Sequence, residues 1–326
     1  MSAAPVLLTG GTGFIGHHLA RGLLAAGHEL RYLVRENSDL NRLPAHRHDD
    51  LFYGDLRDEY SLEAALDGCR AVVHAAALVS FQSSDAGAME RINEYGTAAL
   101  VNAALEVQVP RFIHLSSVAA LNRQPGKITT LKDRWQETPA PTAYARSKFA
   151  AEREVWRGQA EGLSVAVLYP STVIGAGNWS RAGTPRLFAK AKSRRFASAG
   201  HAGFVAIDDV VAAVLYALKN DKNGLRMLLN AENLSWKMAL EQIGRSVGID
   251  RPLSVIGPAV SGALWPLAGL TGLVTGRKTG LSRDLHLTAQ ADYRYDGSAF
   301  EEVIGRPYRS MTEAILETGK VFLGGL

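Results

Sequence analysis

Val-Leu-Leu-Thr-Gly-Gly-Thr-Gly-Phe-Ile-Gly occupies residues 6–16, and this stretch decides the fold of the N-terminal half of the chain. A short apolar run, typical of a buried strand, breaks into Gly10, Gly13 and Gly16, after which residues 17–24 continue as an amphipathic helix. Glycines let the main chain turn sharply and approach a phosphate closely, and the free N–H groups at a helix start attract negative charge. The stretch therefore predicts a nucleotide-binding strand–turn–helix, with a purely structural turn as the alternative.

Strand and helix patterns alternate through about the first 170 residues and then loosen into smaller elements. Repeated βα units imply a parallel sheet with helices on both faces. We therefore predict an α/β fold, a Rossmann-type doubly wound parallel sheet with a smaller, mostly C-terminal α/β lobe that binds substrate. The predicted Rossmann domain covers residues 1–172 plus about 204–231, and the predicted lobe covers about 173–203 and 232–326.

Composition narrows the classes of function. Of the 326 residues 47% are hydrophobic, 21% are charged, and the net charge is only +4. A dedicated nucleic-acid binder would cluster many more Lys and Arg residues on one face, so we expect no nucleic-acid partner. The single cysteine, Cys69, excludes an intrachain disulfide and favours a reducing compartment. The N-terminus carries no signal-peptide pattern, so a cytoplasmic protein is expected. No metal site is expected.

Residues 252–275 form a largely apolar stretch without a charged side chain. The stretch is long enough to span a bilayer, but Pro258 and Pro266 weaken such a helix. We interpret it as a helix pair or lid of the substrate lobe. Peripheral membrane contact, with a lipophilic substrate, is the alternative.

The residues after the second and third predicted strands bear on the choice of dinucleotide. An acidic residue closing the second strand is typical of NAD sites, where it binds the ribose 2′-hydroxyl. This chain has Arg35 there, whose guanidinium can pair with a 2′-phosphate, although the neighbouring Glu36 disfavours a phosphate. We therefore expect NADP(H) rather than NAD(H). Asp55, after the third strand, either accepts from the adenine amino group or caps the following helix.

Tyr144 and Lys148 lie four residues apart, on one face of a helix predicted over about residues 143–161. A phenol titrates near pH ~10, and a neighbouring ammonium group lowers that pKa. Tyr144 can then exchange a proton with a substrate oxygen near neutral pH, while Lys148 has further donors for the ribose next to the nicotinamide. The pair predicts acid–base chemistry on a carbonyl or alcohol.

Two serines and one asparagine are further candidates for the catalytic set. Ser116 and Ser117 end the fifth predicted strand, at the carboxyl edge where α/β sheets bind ligands. A hydroxyl there can hydrogen-bond the substrate oxygen. We favour Ser117, because neighbouring strand residues face opposite sides and Ser116 is equally suited to capping the turn. Asn93, on the helix after the fourth strand, is either a surface amide or bonds a water that relays protons to Lys148.

Together these residues resemble the extended branch of the short-chain dehydrogenase/reductase superfamily, the NAD-dependent epimerase/dehydratase family. The resemblance covers nearly the whole chain and rests on the segments 9–16, 54–56, 74–77, 93–97, 115–117, 144–148, 169–171 and 205–210. It implies catalysis by Ser117, Tyr144 and Lys148 with Asn93 as fourth member, and it implies that Pro170 and the next few residues line the nicotinamide. The residues predicted to bind the cofactor are Gly10, Thr12, Gly13, Phe14, Ile15, Gly16, Arg35, Asp55, Leu56, Ala75, Ala76, Ala77, Lys148, Pro170 and Val173.

The subfamily pattern favours a reductase. Sugar-nucleotide epimerases of this branch usually carry Asn after the sixth strand, where this chain has Pro170-Ser171, and Asp after the second strand, where it has Arg35. The chain is more similar to the dihydroflavonol reductase-like and 3β-hydroxysteroid dehydrogenase-like group, which handles apolar carbonyls or alcohols. An NADPH-dependent ketone or aldehyde reductase is therefore the leading hypothesis. The alternatives are an NAD-dependent sugar-nucleotide epimerase or dehydratase, a 3β-hydroxysteroid dehydrogenase-like enzyme on a lipophilic substrate, and a non-enzymatic nucleotide-sensing scaffold.

The substrate and the oligomeric state are the least readable parts of the sequence. We expect Ser117 and Tyr144 to contact a small-molecule carbonyl or alcohol. The aromatic residues Phe81, Trp179, Phe188, Phe204 and Trp265 are candidates for an apolar pocket wall, with a place in the core as the alternative for each. The resemblance also implies a homodimer, formed by the helices predicted near residues 85–107 and 143–161.

Overall fold

The computed structural model describes residues 4–44, 46–133, 135–136, 141–180, 183–263, 265 and 282–325. Its strands, in chain order, are β1 (Val6–Thr9), β2 (Leu30–Val34), β3 (Leu51–Tyr53), β4 (Ala71–His74), β5 (Phe112–Leu115), β6 (Ile128–Thr129), β7 (Val165–Pro170), β8 (Thr172–Ile174), β9 (Phe196–Ser198), β10 (His201–Ala206), β11 (Leu225–Leu229), β12 (Glu232–Ser235), β13 (Ser254–Ile256) and β14 (Arg294–Tyr295).

Helices connect most of these strands. They are α1 (Phe14–Ala25), α2 (Glu59–Leu66), α3 (Ala86–Met89), α4 (Gly96–Glu106), α5 (Ala143–Ala160), α6 (Pro185–Ala189), α7 (Ile207–Lys219), α8 (Trp236–Ser246), α9 (Arg283–Gln290), α10 (Ala299–Ile304) and α11 (Met311–Gly324). A π-helical segment, Glu90–Tyr95, joins α3 to α4, so the single helix predicted near residues 85–107 is wound differently in its middle.

Seven parallel strands form the central sheet, in the order β3-β2-β1-β4-β5-β7-β11. The prediction of a Rossmann-type parallel sheet is confirmed. The chain starts at β1 in the middle, runs outward through β2 and β3, and returns to β4 on the other side of β1. Ligands of such sheets bind outside the carboxyl ends of the strands at this reversal point. The ends of β1 and β4 are therefore the expected edge of a cofactor site.

The strands of the central sheet are mostly apolar because both faces of the sheet are covered. All four residues of β1 are buried, as expected for a strand enclosed by helices on both sides. Helices α1 and α7 pack on one face around Leu8 and Leu23, and helices α2, α4 and α5 pack on the other around Leu7 and Leu100. Complete burial of each such leucine contributes roughly 1.5–3 kcal/mol. This packing holds the strand ends, and the loops that follow them, in fixed positions.

A second, smaller sheet contains β8, β10 and β12 and packs against α8 and α11. Phe188 and Phe204 lie in the apolar cluster beneath it and are 1% and 0% exposed. The prediction that these two rings line a substrate pocket is therefore wrong, because both are buried in the apolar core. The predicted boundaries between a Rossmann domain and a substrate lobe stay a prediction.

The apolar stretch 252–275 lies only partly within the described residues, because positions 264 and 266–275 fall outside them. Its first part contains β13, which pairs in parallel with β9. Among the helices of the described ranges, none has both the length and the apolar character needed to cross a membrane.

Candidate active site

The glycine-rich turn brings the end of β1 against the end of β4. Gly10 adopts a φ of 74°, and a Cβ on Gly10 would lie 2.7 Å from the backbone nitrogen of Ala76. A Cβ on Gly16 would collide with the carbonyl of Gly10, which also accepts a hydrogen bond from the Gly13 N–H at 2.8 Å. Only glycine fits at positions 10 and 16, because the first helix begins directly on top of the turn.

The start of α1 is suited to an anionic group. Gly13 is the N-cap residue, no side chain caps the helix, and its first turn contains no acidic residue. The N–H groups and the positive end of the helix dipole thus remain available for a phosphate oxygen. The residues present fit the pyrophosphate of a dinucleotide.

The predicted adenine end of the site holds more arginine than the sequence pattern indicated. Both carboxylate oxygens of Asp55 accept from the Arg57 guanidinium, at 2.8 and 2.9 Å. The pKa of Asp55 is lowered chiefly by this hydrogen bond, with a smaller contribution from the charge of Arg35. The N-cap of α2 is Asp58, so the alternative reading of Asp55 as the cap of that helix is wrong. Arg35 is exposed beyond the end of β2, where a 2′-phosphate could reach it.

Ser117 and Tyr144 meet at the carboxyl end of β5. Ser117 lies two residues after the end of that strand, and its side chain accepts from the Ala119 N–H at 3.1 Å, which fixes its position. Tyr144 lies in the first turn of α5, whose N-cap Thr142 accepts from the Ala145 N–H at 3.2 Å. The Ser117 side chain faces the Tyr144 hydroxyl and lowers its pKa. The structure therefore brings together two of the residues that the sequence singled out.

The predicted electrostatic effect on Tyr144 is corrected by the structure. Burial raises the pKa of Tyr144 above its usual value, and the hydrogen bond from Ser117 and the charge of Arg123 offset this rise only in part. Lys148 was expected to lower the pKa below the usual value, but its ammonium group points to the sheet. Its Nζ donates to the carbonyl oxygen of Leu115 at 2.7 Å.

Lys148 is itself a buried cation. Its side chain is 3% exposed, and burial lowers its pKa from 10.5 to about 8, although the charge of Glu152 opposes this. Near neutral pH the ammonium form therefore predominates. Two of its three protons remain available beside the Leu115 contact. Lys148 thus lies one helical turn after Tyr144 and can donate to an oxygen placed next to it.

Asn93 lies in the π-helical segment and is fully hydrogen-bonded. Its Nδ2 donates to Leu78 O and to Ser147 Oγ, both at 2.9 Å, and its Oδ1 accepts from the Leu78 N–H at 2.7 Å. Ser147 in turn donates to the carbonyl oxygen of Tyr144 at 2.9 Å. Asn93 therefore ties the loop after β4 to the catalytic helix. Its predicted role in a water relay to Lys148 stays a prediction.

A chain of hydrogen bonds links the glycine-rich turn to Asn93. The His74 ring bonds Thr9 Oγ1 at 2.7 Å through Nδ1 and Thr97 Oγ1 at 3.0 Å through Nε2. Thr97 then donates to the Asn93 carbonyl oxygen at 2.5 Å. Burial lowers the pKa of His74 to about 3, so the ring is neutral and bonds with one donor and one acceptor nitrogen.

A second network lies directly behind Ser117. Ser116 donates to one carboxylate oxygen of the buried Glu152 at 2.9 Å, and Tyr169 donates to the other at 2.6 Å. Arg226 Nε donates to the Tyr169 hydroxyl at 3.1 Å, and the Trp156 Nε1–H also reaches Glu152, at 2.9 Å. Ser116 is therefore bound into the interior and faces away from the position of Tyr144.

The end of β7 contributes a buried hydroxyl within the segment after Pro170 that the resemblance assigns to the nicotinamide. Ser171 follows Pro170, is 8% exposed, and its Oγ finds no hydrogen-bond partner among the described residues. A buried hydroxyl without a partner is costly, so a polar ligand group at this strand end would satisfy it. The position fits the carboxamide of a nicotinamide. Val173, two residues on, is buried in β8 and packs in the same cluster as the residues of β1.

The predicted substrate aromatics occupy different places. The Phe81 ring lies 6.4 Å from the Tyr144 ring, at the catalytic corner. Trp179 packs edge-on against Phe322 at 5.1 Å and Phe188 at 6.1 Å, within the apolar cluster of the smaller sheet. A substrate contact of Trp179 stays a prediction.

The residues that sequence reasoning missed are Arg57, Arg123, Ser147 and Glu152. A usable signal existed for Glu152, because it follows Lys148 by four residues on the same helix face. Arg57 and Ser147 bond near neighbours in sequence, Asp55 and Tyr144, whereas Arg123 contacts Tyr293, a distant residue that no spacing pattern reports.

Comparison with known proteins agrees with this geometry. Residues 6–229 match the NAD dependent epimerase/dehydratase family. The chain is 33% identical to sterol demethylase protein B of Methylococcus capsulatus over 77% of each chain. It is 30% identical to a putative dihydroflavonol 4-reductase of Synechocystis over 95% of this chain and 92% of the relative. The crystal structure of gox2253 superposes with a TM-score of 0.84, at 26% identity, over 99% of this chain and 98% of that one.

Proposed function

Because this chain belongs to the NAD-dependent epimerase/dehydratase family, we propose that it is an NADPH-dependent oxidoreductase. The reaction is reduction of a ketone or aldehyde on a fairly apolar small molecule, or oxidation of the corresponding alcohol. The Synechocystis relative, which carries the name of a reductase, supports the direction of this proposal. The name of the Methylococcus relative favours a lipophilic, sterol-like form of the substrate.

One observation carries the proposal: the Ser117 and Tyr144 side chains face each other, and Lys148 lies one turn after Tyr144 on α5. The three groups lie at the carboxyl end of β5, beside the strand ends that carry the glycine-rich turn and Ser171. A carbonyl oxygen placed between the two hydroxyls would accept from both. Such paired donors stabilise the negative charge that develops on the oxygen during reduction.

The chain's own residues would divide the work as follows. Tyr144 gives its proton to the substrate oxygen, and its raised pKa keeps the phenol protonated until that step. Ser117 orients the oxygen, and Lys148 donates to the cofactor ribose. A nicotinamide dinucleotide, when bound, supplies the hydride. Arg35, with Arg57 close by, would bind a 2′-phosphate and so favour NADPH over NADH.

The decisive experiment replaces Tyr144 by Phe. We expect turnover of a ketone panel with NADPH to be lost, because no proton reaches the oxygen, while the dissociation constant for NADPH, measured by fluorescence, stays near that of the wild type. Tyr95→Phe is the matched control, since Tyr95 is 55% exposed and its hydroxyl donates to Glu90. Turnover that is retained in Tyr144→Phe would refute the role of Tyr144 as proton donor. Binding of NADH that is equal to or tighter than that of NADPH would refute the cofactor preference.

An epimerase or dehydratase is the second candidate, because the matching family is described by those two activities. Such an enzyme oxidises and re-reduces one substrate and keeps its cofactor. Purified protein that carries tightly bound NAD+ and shows no net consumption of NADPH with any ketone would favour it over the reductase.

A further inference from the structure

A small cavity opens beside the catalytic helix, and a cation faces it. The cavity holds about 220 Å³. Its wall includes Thr142 and Ala145, which flank Tyr144 on α5, and Leu287 on α9. Arg123, six residues after Ser117, lies on the same wall. The cavity is therefore adjacent to the reacting groups, and most of its wall is apolar.

Two aromatic residues from β14 and its approach hold the Arg123 guanidinium in place. Its carbon lies 4.5 Å from the centre of the Tyr293 ring, which also lines the cavity. The charge of Arg123 also lowers the pKa of Tyr295, a residue only 5% exposed, against the rise that burial causes. A guanidinium stacked on a ring in this way keeps its planar edge free for a bidentate partner.

No carboxylate of the described ranges forms an ion pair with Arg123, whereas Arg47, Arg57, Arg157, Arg294, Arg306 and Arg309 each have one. Arg123 is half-buried, so its charge is partly removed from water, and within the described ranges no anion is paired with it. A ligand filling the cavity would remove the remaining water, which is unfavourable unless the ligand brings a negative charge. The charge of Arg123 also lowers the pKa of Tyr144, against the larger rise that burial causes.

We propose that Arg123 binds a carboxylate of the substrate, so that the substrate is an oxo acid or hydroxy acid whose apolar body occupies the remaining cavity wall. This inference rests on the proposed reductase function and names its substrate class. The planar fork of Arg123 forms two parallel hydrogen bonds to the carboxylate and fixes the neighbouring carbonyl between Ser117 and Tyr144.

The test uses a matched pair of ligands, benzoylformate and its methyl ester, which differ in the charged group alone. Binding of each to the enzyme–NADP+ complex is measured by calorimetry, and turnover of each is measured with NADPH. The readout is the ratio of affinities, acid over ester, because an effect of Arg123 on Tyr144 chemistry changes both ligands alike. The wild type should prefer the acid. In Arg123→Met the ratio should fall at least about tenfold, as expected for loss of hydrogen bonds to a charged group.

Two variants control for trivial effects. Arg294 lies between Tyr293 and Tyr295 and is paired with Asp292. Arg294→Met therefore removes a nearby cation that already has an anionic partner, and it should leave the ratio of affinities unchanged. Arg123→Lys keeps the charge without the planar fork, and it should retain part of the preference if Arg123→Met fails to fold.

Three results would overturn the proposal. In the first, the wild type binds the acid no better than the ester. In the second, Arg123→Met changes the affinities for both ligands equally. In the third, Arg123→Met binds NADPH more weakly while the acid-to-ester ratio of affinities is unchanged. The last result would assign Arg123 to the cofactor. Failure of the reductase proposal is seen separately, as turnover that survives in Tyr144→Phe.

Discussion

Two serine–tyrosine sets lie next to each other at the carboxyl edge of the sheet, and only one of them is open. Ser117 and Tyr144 face each other at a half-buried corner. Ser116 and Tyr169 bond through the carboxylate of Glu152, and all three are buried. Burial raises the pKa of both tyrosines.

The difference between the sets lies in how their hydrogen bonds are completed. The Tyr169 hydroxyl donates to Glu152 and accepts from Arg226, so both of its roles are filled. Among the described residues, the Tyr144 hydroxyl faces Ser117 alone. Both hydroxyls can therefore still form a hydrogen bond to a substrate oxygen. A buried polar group with every partner present stabilises the fold, whereas one with spare capacity can bind a ligand. The same residue types thus serve structure in one set and chemistry in the other.

The neighbouring serines give the largest expected contrast. Ser117→Ala removes the second donor to the substrate oxygen and should lower kcat roughly 10²-fold, as loss of one such donor does elsewhere. Ser116→Ala should leave kcat close to that of the wild type, because its hydroxyl contacts only Glu152. Both are measured by steady-state kinetics with NADPH. Comparable losses of kcat in the two variants would show that the two sets are not functionally separate.

Glu152 connects the two sets through Lys148, and a pH series can show this. The pKa of Lys148 is about 8, and the charge of Glu152 raises it. The ammonium group is present below its pKa, so NADPH binding should weaken as the pH rises through this value. Removing the Glu152 charge by Glu152→Gln should lower the pKa of Lys148 by about one unit and move the weakening to lower pH.

Glu154→Gln provides the control for this series. Glu154 lies on the same helix but is paired with Arg157 at the surface. The midpoint of NADPH binding against pH should therefore stay at the wild-type value in Glu154→Gln. An unshifted midpoint in Glu152→Gln would separate the buried network from the catalytic corner.

Tyr169→Phe should have the smallest effect on catalysis and a clear effect on stability. The change leaves Arg226 Nε without its acceptor and leaves Glu152 Oε1 with the Trp156 Nε1–H as its remaining donor, which costs about 1–3 kcal/mol of unfolding free energy. Urea unfolding measures this cost, with Tyr144→Phe as the comparison that should unfold near the wild-type midpoint. An equal loss of stability in both variants would contradict the division into an open and a closed set.

The local patterns of the sequence predicted much of this molecule. Alternating strand and helix periods predicted the parallel sheet, since each period depends on the side chains of one short segment. The glycines of the first turn were recognisable in the sequence because neighbouring backbone leaves no room for a side chain at Gly10 or Gly16. Tyr144 and Lys148 were recognisable because a helix fixes which residues share a face.

The pocket residues could not be read in the same way. Phe188 and Phe204 were expected at the substrate and lie in the core, because an aromatic residue has the same hydrophobicity in either place. Arg123 lies in a loop without periodicity, and its role depends on Tyr293 and Tyr295, about 170 residues further along the chain.

The sequence by itself determined the fold class, the glycine-rich turn and the spacing of Tyr144 and Lys148, because local geometry decides all three. The tertiary structure alone decided that Ser117 meets Tyr144 while Ser116 meets Glu152, and that Arg123 faces the cavity beside them. Those contacts depend on the order of the strands and the packing of α5 against them. Only the assembled sheet brings residues so far apart in the chain within hydrogen-bonding distance.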